Sequence, residues 1–208
     1  MDPARSRILT VPNVISVLRL LCVPVFLWLL WKPDPEPVAA AALLAFLGAT
    51  DWVDGYIARH FNQGSELGKV LDPTADRALL LAAAIALLVE DISTPINIVM
   101  WIVIVREILV AVAVIVLGAL GAKRIDVVWA GKAGTLAIMF ALPMFLAAHA
   151  IPSWRIPFNI GGWGFAIGGI ILGYYAAAQY IPAARAALRE GRAARAAPSE
   201  HTRSEARA

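Results

Sequence analysis

Six predominantly apolar runs, each long enough to cross a bilayer as an α-helix, constrain the fold of this chain more than any other feature. They cover residues 13–31, 38–61, 67–88, 96–120, 127–149 and 162–180. Roughly 20 apolar residues in a helix span a hydrocarbon core about 30 Å thick. Only 16% of the residues are charged, against about 25% in an ordinary soluble domain. We therefore expect an all-α integral membrane protein with six transmembrane helices.

The short connections between the runs predict one membrane domain, residues 1–182, followed by a polar tail, residues 183–208. The tail is rich in Ala and Arg, so we expect a helical extension on the cytoplasmic surface and then disorder. The single cysteine, Cys22, excludes an internal disulfide. A signal peptide is the alternative for the first run. That run is longer than the usual apolar region of roughly 7–15 residues, and no small-residue cleavage site follows it.

The basic residues predict the orientation of the chain. With both termini in the cytoplasm, every Lys and Arg except Lys32 and Arg155 falls in cytoplasmic segments or within spans, as the positive-inside rule requires. The net charge of +3 then follows from topology and from attraction to anionic lipid heads, and it gives no reason to expect nucleic acid as a partner. We expect a multi-pass protein of the plasma membrane. The bias towards Ala, Arg and Gly suggests a GC-rich bacterium.

Four aspartates concentrate where the second and third runs meet. Asp51 and Asp54 are three residues apart, and Asp72 and Asp76 are four apart, so each pair shares one face of a helix. The short connection at residues 62–66 predicts two antiparallel helices that bring these faces together. Four carboxylates in a low-dielectric site stay ionised only if cations neutralise them. Ligand sets made only of carboxylate oxygens favour Mg²⁺, Mn²⁺ or Ca²⁺ over zinc, and two such ions commonly clamp a phosphoryl group.

Small and basic residues accompany the aspartates. Gly55, Ala58 and Gly68 would let a bulky ligand such as a nucleotide approach the backbone, and Arg59 could pair with a diphosphate or a carboxylate. Any one of these residues near a span end is often only an interfacial anchor or a helix contact. The whole set in this order is much more specific than its parts.

The set resembles the signature of the CDP-alcohol phosphotransferase family, D-x2-D-G-x2-A-R-x8-G-x3-D-x3-D, without a departure. The resemblance implies a homodimer of six-helix subunits, each with a polar cavity open to the cytoplasm, and two divalent ions, Mg²⁺ or Mn²⁺. It further implies that the four aspartates hold the metals and that Asp76 also acts as the general base. The residues implied to bind the CDP part of the donor, CDP-diacylglycerol, are Asp54, Gly55, Ala58, Arg59, Gly68 and Asp72.

Other segments resemble the branch of phosphatidylglycerophosphate synthases and related cardiolipin synthases. These are residues 10–19, Arg106 with Glu107, and residues 131–135. Arg106, Lys132 and Arg19 are the cations expected to hold an anionic acceptor. Arg19 could instead pair with a neighbouring helix, and Arg106 could instead only neutralise Glu107 or an aspartate. Glycerol 3-phosphate is the preferred acceptor and phosphatidylglycerol the alternative. Gly134 stands where phosphatidylglycerophosphate synthases often have a second lysine, which leaves the acceptor open.

Two other classes of function are alternatives to this enzyme. Acidic residues within spans also mark cation pathways, but a transporter does not require the Gly, Ala and Arg positions that accompany the aspartates. A membrane scaffold gives no reason for four costly aspartates. Inositol phosphate is a weaker candidate acceptor, because the N-terminal and fifth-run segments resemble the glycerol branch.

Overall fold

The computed structural model describes residues 11–61, 68–119 and 129–196, with side chains described over 14–50, 74–116 and 129–179. Six α-helices follow one another in the chain: α1 (Val11–Trp31), α2 (Pro37–Phe61), α3 (Gly68–Val89), α4 (Thr94–Ala119), α5 (Trp129–Ala150) and α6 (Arg155–Ala196). A short 3-10 helix, Pro152–Trp154, leads into α6. The described residues contain no β-strand, so the predicted all-α class is confirmed.

The first five helices begin and end within about two residues of the predicted runs, but α6 differs. It begins at Arg155, whereas the sequence pattern placed its start at Gly162. Pro157 marked that segment as a connection, yet it is the third residue of the helix. Proline is tolerated there because the first-turn N–H groups have no partner within the helix. At its other end α6 continues to Ala196, and residues 197–208 of the predicted tail lie outside the described residues.

Helix α5 occupies the centre of the bundle. Of its residues, 56% are buried, whereas 22% of the residues in the apolar part of α1 are buried. Leu142, Phe145 and Leu146 of α5 are fully buried, and both α2 and α6 pack along this helix. Helix α3 packs mainly against α1 and α4. This arrangement places the first half of α3, which carries Asp76, between α1 and α4.

Four helices are long and apolar enough to cross a membrane over the described residues: Val14–Trp31, Thr94–Val116, Trp129–Ala150 and Pro152–Gln179. The described apolar part of α2 is shorter, Pro37–Thr50. Large apolar side chains such as Leu18, Ile115 and Ile171 are more than half exposed on the outside of the bundle. Apolar exposure of this extent suits contact with lipid and would be a liability in water. The chain is therefore a multi-pass membrane protein.

Candidate active site

The signature residues lie on two helices that the short connection at residues 62–67 joins. Asp51 and Asp54 belong to the second half of α2, which runs to Phe61, and Asp72 and Asp76 belong to the first half of α3. The structure thus confirms that each pair is carried by one continuous helix. The other signature positions are Gly55, Ala58 and Arg59 near the end of α2, and Gly68 as the first residue of α3. Of the signature side chains, the structure describes only that of Asp76. The convergence of all four carboxylates therefore stays a prediction.

Asp76 forms an ion pair with Arg19 of α1. Nη1 of Arg19 donates a hydrogen bond to Oδ1 of Asp76, and the arginine is only 1% exposed. Ser16, one helical turn before Arg19, is also buried. A guanidinium buried in an apolar bundle requires a carboxylate or comparable acceptor to offset its desolvation. Of the two roles that the sequence allows for Arg19, the contact favours pairing with a neighbouring helix, with Arg19 orienting Asp76, over direct contact with the acceptor.

Arg106 of α4 is held from three sides. Its Nη1 donates to Oε1 of the neighbouring Glu107 and, at 3.2 Å, to Oγ1 of Thr135 in α5. The Thr135 hydroxyl in turn donates to the carbonyl oxygen of Gly131 at 3.1 Å. A Cβ atom at Gly173 of α6 would lie 3.2 Å from Nε of Arg106, so the glycine leaves the space that the guanidinium occupies. Arg106 therefore connects α4, α5 and α6, and it is only 14% exposed.

Glu107 and Arg77 extend this group to α3, although neither is among the predicted site residues. Glu107 is 4% exposed, and its Oε2 lies 3.9 Å from Nε of Arg77, which follows Asp76 in the chain. The sequence signal for Glu107 was its position beside an arginine within an apolar run, where an ionised side chain is costly. For Arg77 the signal was only its place in the aspartate cluster.

The two remaining positions of interest, Lys132 and Gly134, lie in the first turns of α5. Lys132 is exposed, whereas Gly134 is buried against α6. A Cβ atom at Gly134 would lie 2.8 Å from the backbone nitrogen of Gly173 and 2.9 Å from the carbonyl oxygen of Gly169. No side chain fits there without a shift of the helices. The glycine is thus explained by helix packing, and a lysine at this position would require a different crossing of α5 and α6.

The donor set agrees with a divalent metal of the Mg²⁺ or Mn²⁺ type. The four predicted ligands are all carboxylates on two consecutive helices, and hard cations prefer such oxygen donors. Among the described side chains, no group of three acidic, histidine or cysteine residues converges as a metal site. A cavity of about 700 Å³ lies at the opposite end of α5, beside Ser93, His149 and Arg155. None of the predicted site residues lines it, so it is not the expected cytoplasm-facing cavity.

Comparison with known proteins agrees with these features. The chain is 35% identical over 191 residues to a CMP-forming cardiolipin synthase of Streptomyces coelicolor, covering 88% of this chain and 86% of the relative. It is 34% identical over 175 residues to a putative cardiolipin synthase of Mycobacterium tuberculosis, covering 82% and 81%.

A third relative is the CDP-diacylglycerol–glycerol-3-phosphate 3-phosphatidyltransferase of Escherichia coli. The identity is 30% over 182 residues, which cover 86% of this chain and 96% of that protein. Residues 9–175, which include the whole aspartate signature and helices α1 to α5, match the model of one protein family. The chain therefore belongs to the CDP-alcohol phosphatidyltransferase family.

Proposed function

We propose that this chain transfers the phosphatidyl group of CDP-diacylglycerol to phosphatidylglycerol, with release of CMP and formation of cardiolipin. Membership of the family makes it a CDP-diacylglycerol-dependent phosphatidyltransferase of phospholipid biosynthesis. The observation that carries the choice of acceptor is the match, over most of both chains, to relatives named cardiolipin synthase. The sequence alone favoured glycerol 3-phosphate, and the relatives shift the preference to the alternative.

The charge of the described residues supports the same acceptor. Glycerol 3-phosphate carries a dianionic phosphate, whereas the phosphodiester of phosphatidylglycerol carries one negative charge. Arg106, one of the cations expected to hold the acceptor, is already paired with Glu107. Gly134 has no room for the second lysine of phosphatidylglycerophosphate synthases. Of the three cations expected to hold the acceptor, Arg19 and Arg106 are paired with carboxylates, and Lys132 is left for the phosphate, which suits the monoanion better.

Glycerol 3-phosphate remains the second candidate, for a specific reason. The Escherichia coli relative is named for transfer to glycerol 3-phosphate. It matches over nearly its full length. Both acceptors present a hydroxyl and a phosphate, so the same residues serve either reaction.

The signature residues divide the chemistry among them. We assign Asp51, Asp54, Asp72 and Asp76 as ligands of two divalent ions, Mg²⁺ or Mn²⁺, in line with the general metal dependence of the family. When bound, the metals neutralise the diphosphate of the donor and the charge that develops on the leaving CMP. The positions assigned to the CDP part of the donor are Asp54, Gly55, Ala58, Arg59, Gly68 and Asp72.

Asp76 is the proposed general base. The acceptor hydroxyl oxygen forms a bond to the phosphatidyl phosphorus, the bond from that phosphorus to the CMP oxygen breaks, and the hydroxyl proton passes to the Asp76 carboxylate. Arg19 holds this carboxylate in one orientation, because the guanidinium donates to Oδ1 from a buried position. A base with fixed orientation keeps its oxygen within reach of the acceptor proton.

The proposal includes the arrangement in the membrane. Six spans, with both termini in the cytoplasm of a bacterial cell, place the aspartate signature at the cytoplasmic side of the plasma membrane, where a polar cavity admits the donor. Two copies of the chain form the homodimer that the family resemblance implies.

The test is an assay of the purified protein in detergent with labelled CDP-diacylglycerol and each acceptor at the same donor concentration. We expect cardiolipin from phosphatidylglycerol and little product from glycerol 3-phosphate. Phosphatidylglycerophosphate from glycerol 3-phosphate, without cardiolipin from phosphatidylglycerol, would establish the second candidate instead. No CMP release with any acceptor would contradict the phosphatidyltransferase assignment.

A further inference from the structure

A buried carboxylate lies between two arginines that come from different helices. Glu107 of α4 is 4% exposed, Arg106 is its neighbour on the same helix, and Arg77 reaches it from α3. Burial of a lone carboxylate in an apolar bundle is costly, so Glu107 needs at least one cation. Arg106 alone would meet that need. The second arginine is therefore unexplained by the neutralisation of Glu107.

The two arginines differ in how firmly they are held. Arg106 is 14% exposed, and Glu107, Thr135 and Gly173 surround its guanidinium. Arg77 is 40% exposed, and its described contact with Glu107 is an ion pair at 3.9 Å, longer than a hydrogen bond. Arg106 thus serves mainly to join helices. The guanidinium of Arg77 keeps donors that can reach another anion.

Arg77 also lies next to the residue assigned as general base. Consecutive residues on an α-helix point about 100° apart, so Asp76 can face Arg19 of α1 while Arg77 faces Glu107 of α4. The Asp76 carboxylate is already paired with Arg19, whereas the Arg77 guanidinium has only the 3.9 Å ion pair with Glu107 among the described side chains. An anionic phosphate beside Asp76 would therefore lie within reach of Arg77 as a charged donor.

We propose that Arg77 contacts the phosphate of the acceptor and that Glu107 is a positioning residue, which holds the Arg77 guanidinium beside Asp76. The inference rests on the proposed function, in which the acceptor carries both a phosphate and the attacking hydroxyl. Contact between Arg77 and the phosphate places that hydroxyl near the Asp76 carboxylate. Glu107 acts only through the arginine and does not touch the substrate.

The experiment compares Arg77→Gln, Glu107→Gln and the double variant with the wild-type enzyme in detergent. Initial rates are measured against acceptor concentration at saturating CDP-diacylglycerol, and then against donor concentration at saturating acceptor. We expect the acceptor KM to rise about 10-fold in each single variant, as for loss of one charge-assisted contact, with the donor KM unchanged. The double variant should be no worse than Arg77→Gln, because two residues that act as one unit give non-additive effects.

Two controls separate positioning from structure. Glu90→Gln makes the same chemical change at the other end of α3, where the carboxylate accepts a hydrogen bond from Trp31, and it should leave both KM values unchanged. Arg77→Lys keeps the charge but removes the planar fork, so it should restore only part of the acceptor affinity. If Glu107→Gln fails to fold, the variants of Arg77, whose side chain is 40% exposed, test the contact with the acceptor phosphate by themselves.

Several outcomes would overturn the inference. An unchanged acceptor KM in Arg77→Gln would show that Arg77 does not contact the acceptor phosphate. If the rises in acceptor KM of the two single variants multiply in the double variant, Glu107 does not act through Arg77. Equal rises in donor and acceptor KM would indicate a general loss of structure. These results differ from failure of the proposed function, in which the wild-type enzyme itself forms no product from either acceptor.

Discussion

Arg19 and Asp76 show how one contact changes the interpretation of a residue. A buried arginine in α1 suggests a ligand for an anionic substrate, but here the Arg19 guanidinium is ion-paired with the Asp76 carboxylate of α3. An arginine that orients the base affects the reaction step, whereas an arginine that binds the acceptor affects substrate affinity. The two roles make different kinetic predictions.

We expect Arg19→Gln to lower kcat by about 10- to 100-fold, part of what a well-placed general base contributes, with little change in the acceptor KM. Steady-state kinetics with varied acceptor measures both constants. Arg155→Gln is a suitable control, because this exposed arginine lies at the other end of the bundle. A higher acceptor KM at normal kcat would instead indicate that Arg19 contacts the acceptor directly.

The aspartates provide a second test on single residues. Asp72→Asn removes a negative charge from the proposed metal site with almost no change in size, and we expect turnover to fall about 100-fold or more. Asp34→Asn makes the same change in the exposed connection between α1 and α2 and should have no effect. CMP release is the measurement for both. Normal turnover of Asp72→Asn would exclude this residue as a ligand.

Removal of the metal tests the same site without a mutation. Exhaustive chelation should abolish CMP release, and added Mg²⁺ or Mn²⁺ should restore it, because carboxylates bind the donor diphosphate only through cations that lie between the two sets of negative charges. The protein should remain folded throughout, as judged by its helical circular dichroism. Full activity after chelation would contradict the metal assignment.

The contact between α5 and α6 shows which glycines are required for helix packing. Gly134, Gly169 and Gly173 allow the two backbones to meet, and Gly173 also makes room for Arg106. Gly164 and Gly168 belong to the same glycine-rich segment, yet a Cβ atom at either would contact nothing within 4 Å. Spacing alone cannot distinguish the two sets, since a residue every three or four positions marks a face without showing what covers it.

Gly134→Ala and Gly168→Ala form a matched pair of variants. Both gain the same helix propensity, but only the first places a methyl group against the backbone of α6. Overpacking of this kind costs about 1–3 kcal/mol, so Gly134→Ala should melt at a lower temperature than the wild type, and Gly168→Ala should not. Thermal unfolding in detergent provides the comparison. Equal melting temperatures for the two variants would mean that α5 and α6 separate at little cost.

The topology of the whole molecule determines which compartment supplies the substrates. In a Cys22→Ser background, a cysteine at Gly64 should react with an impermeant reagent only from the cytoplasmic side, and one at Ser93 only from outside. The first position lies between α2 and α3, beside the aspartate signature, and the second lies between α3 and α4. Labelling on the reverse sides would place the aspartates away from the cytoplasm and contradict the proposed enzyme.

Local patterns in the sequence determined the helices and the identity of the reactive residues. Apolar runs have a length that the bilayer sets, and proline and glycine interrupt them, so five helices were located closely. The aspartate signature was recognisable because the two aspartates of each helix are three or four residues apart, which is the spacing of one helix face. The start of α6 was the exception, because Pro157 is compatible with either a connection or a first helical turn.

Only the tertiary structure decided which side chains on different helices meet. The rotation and crossing of each helix depend on packing along its whole length, and no short stretch of sequence encodes them. Asp76 thus forms an ion pair with Arg19, which lies 57 residues earlier in the chain, and Arg77 forms one with Glu107 on α4. Gly134 is another example. The sequence allowed it to be a position that has lost a cation, whereas the structure shows a helix contact, because the backbone of α6 fills the space where a side chain would lie.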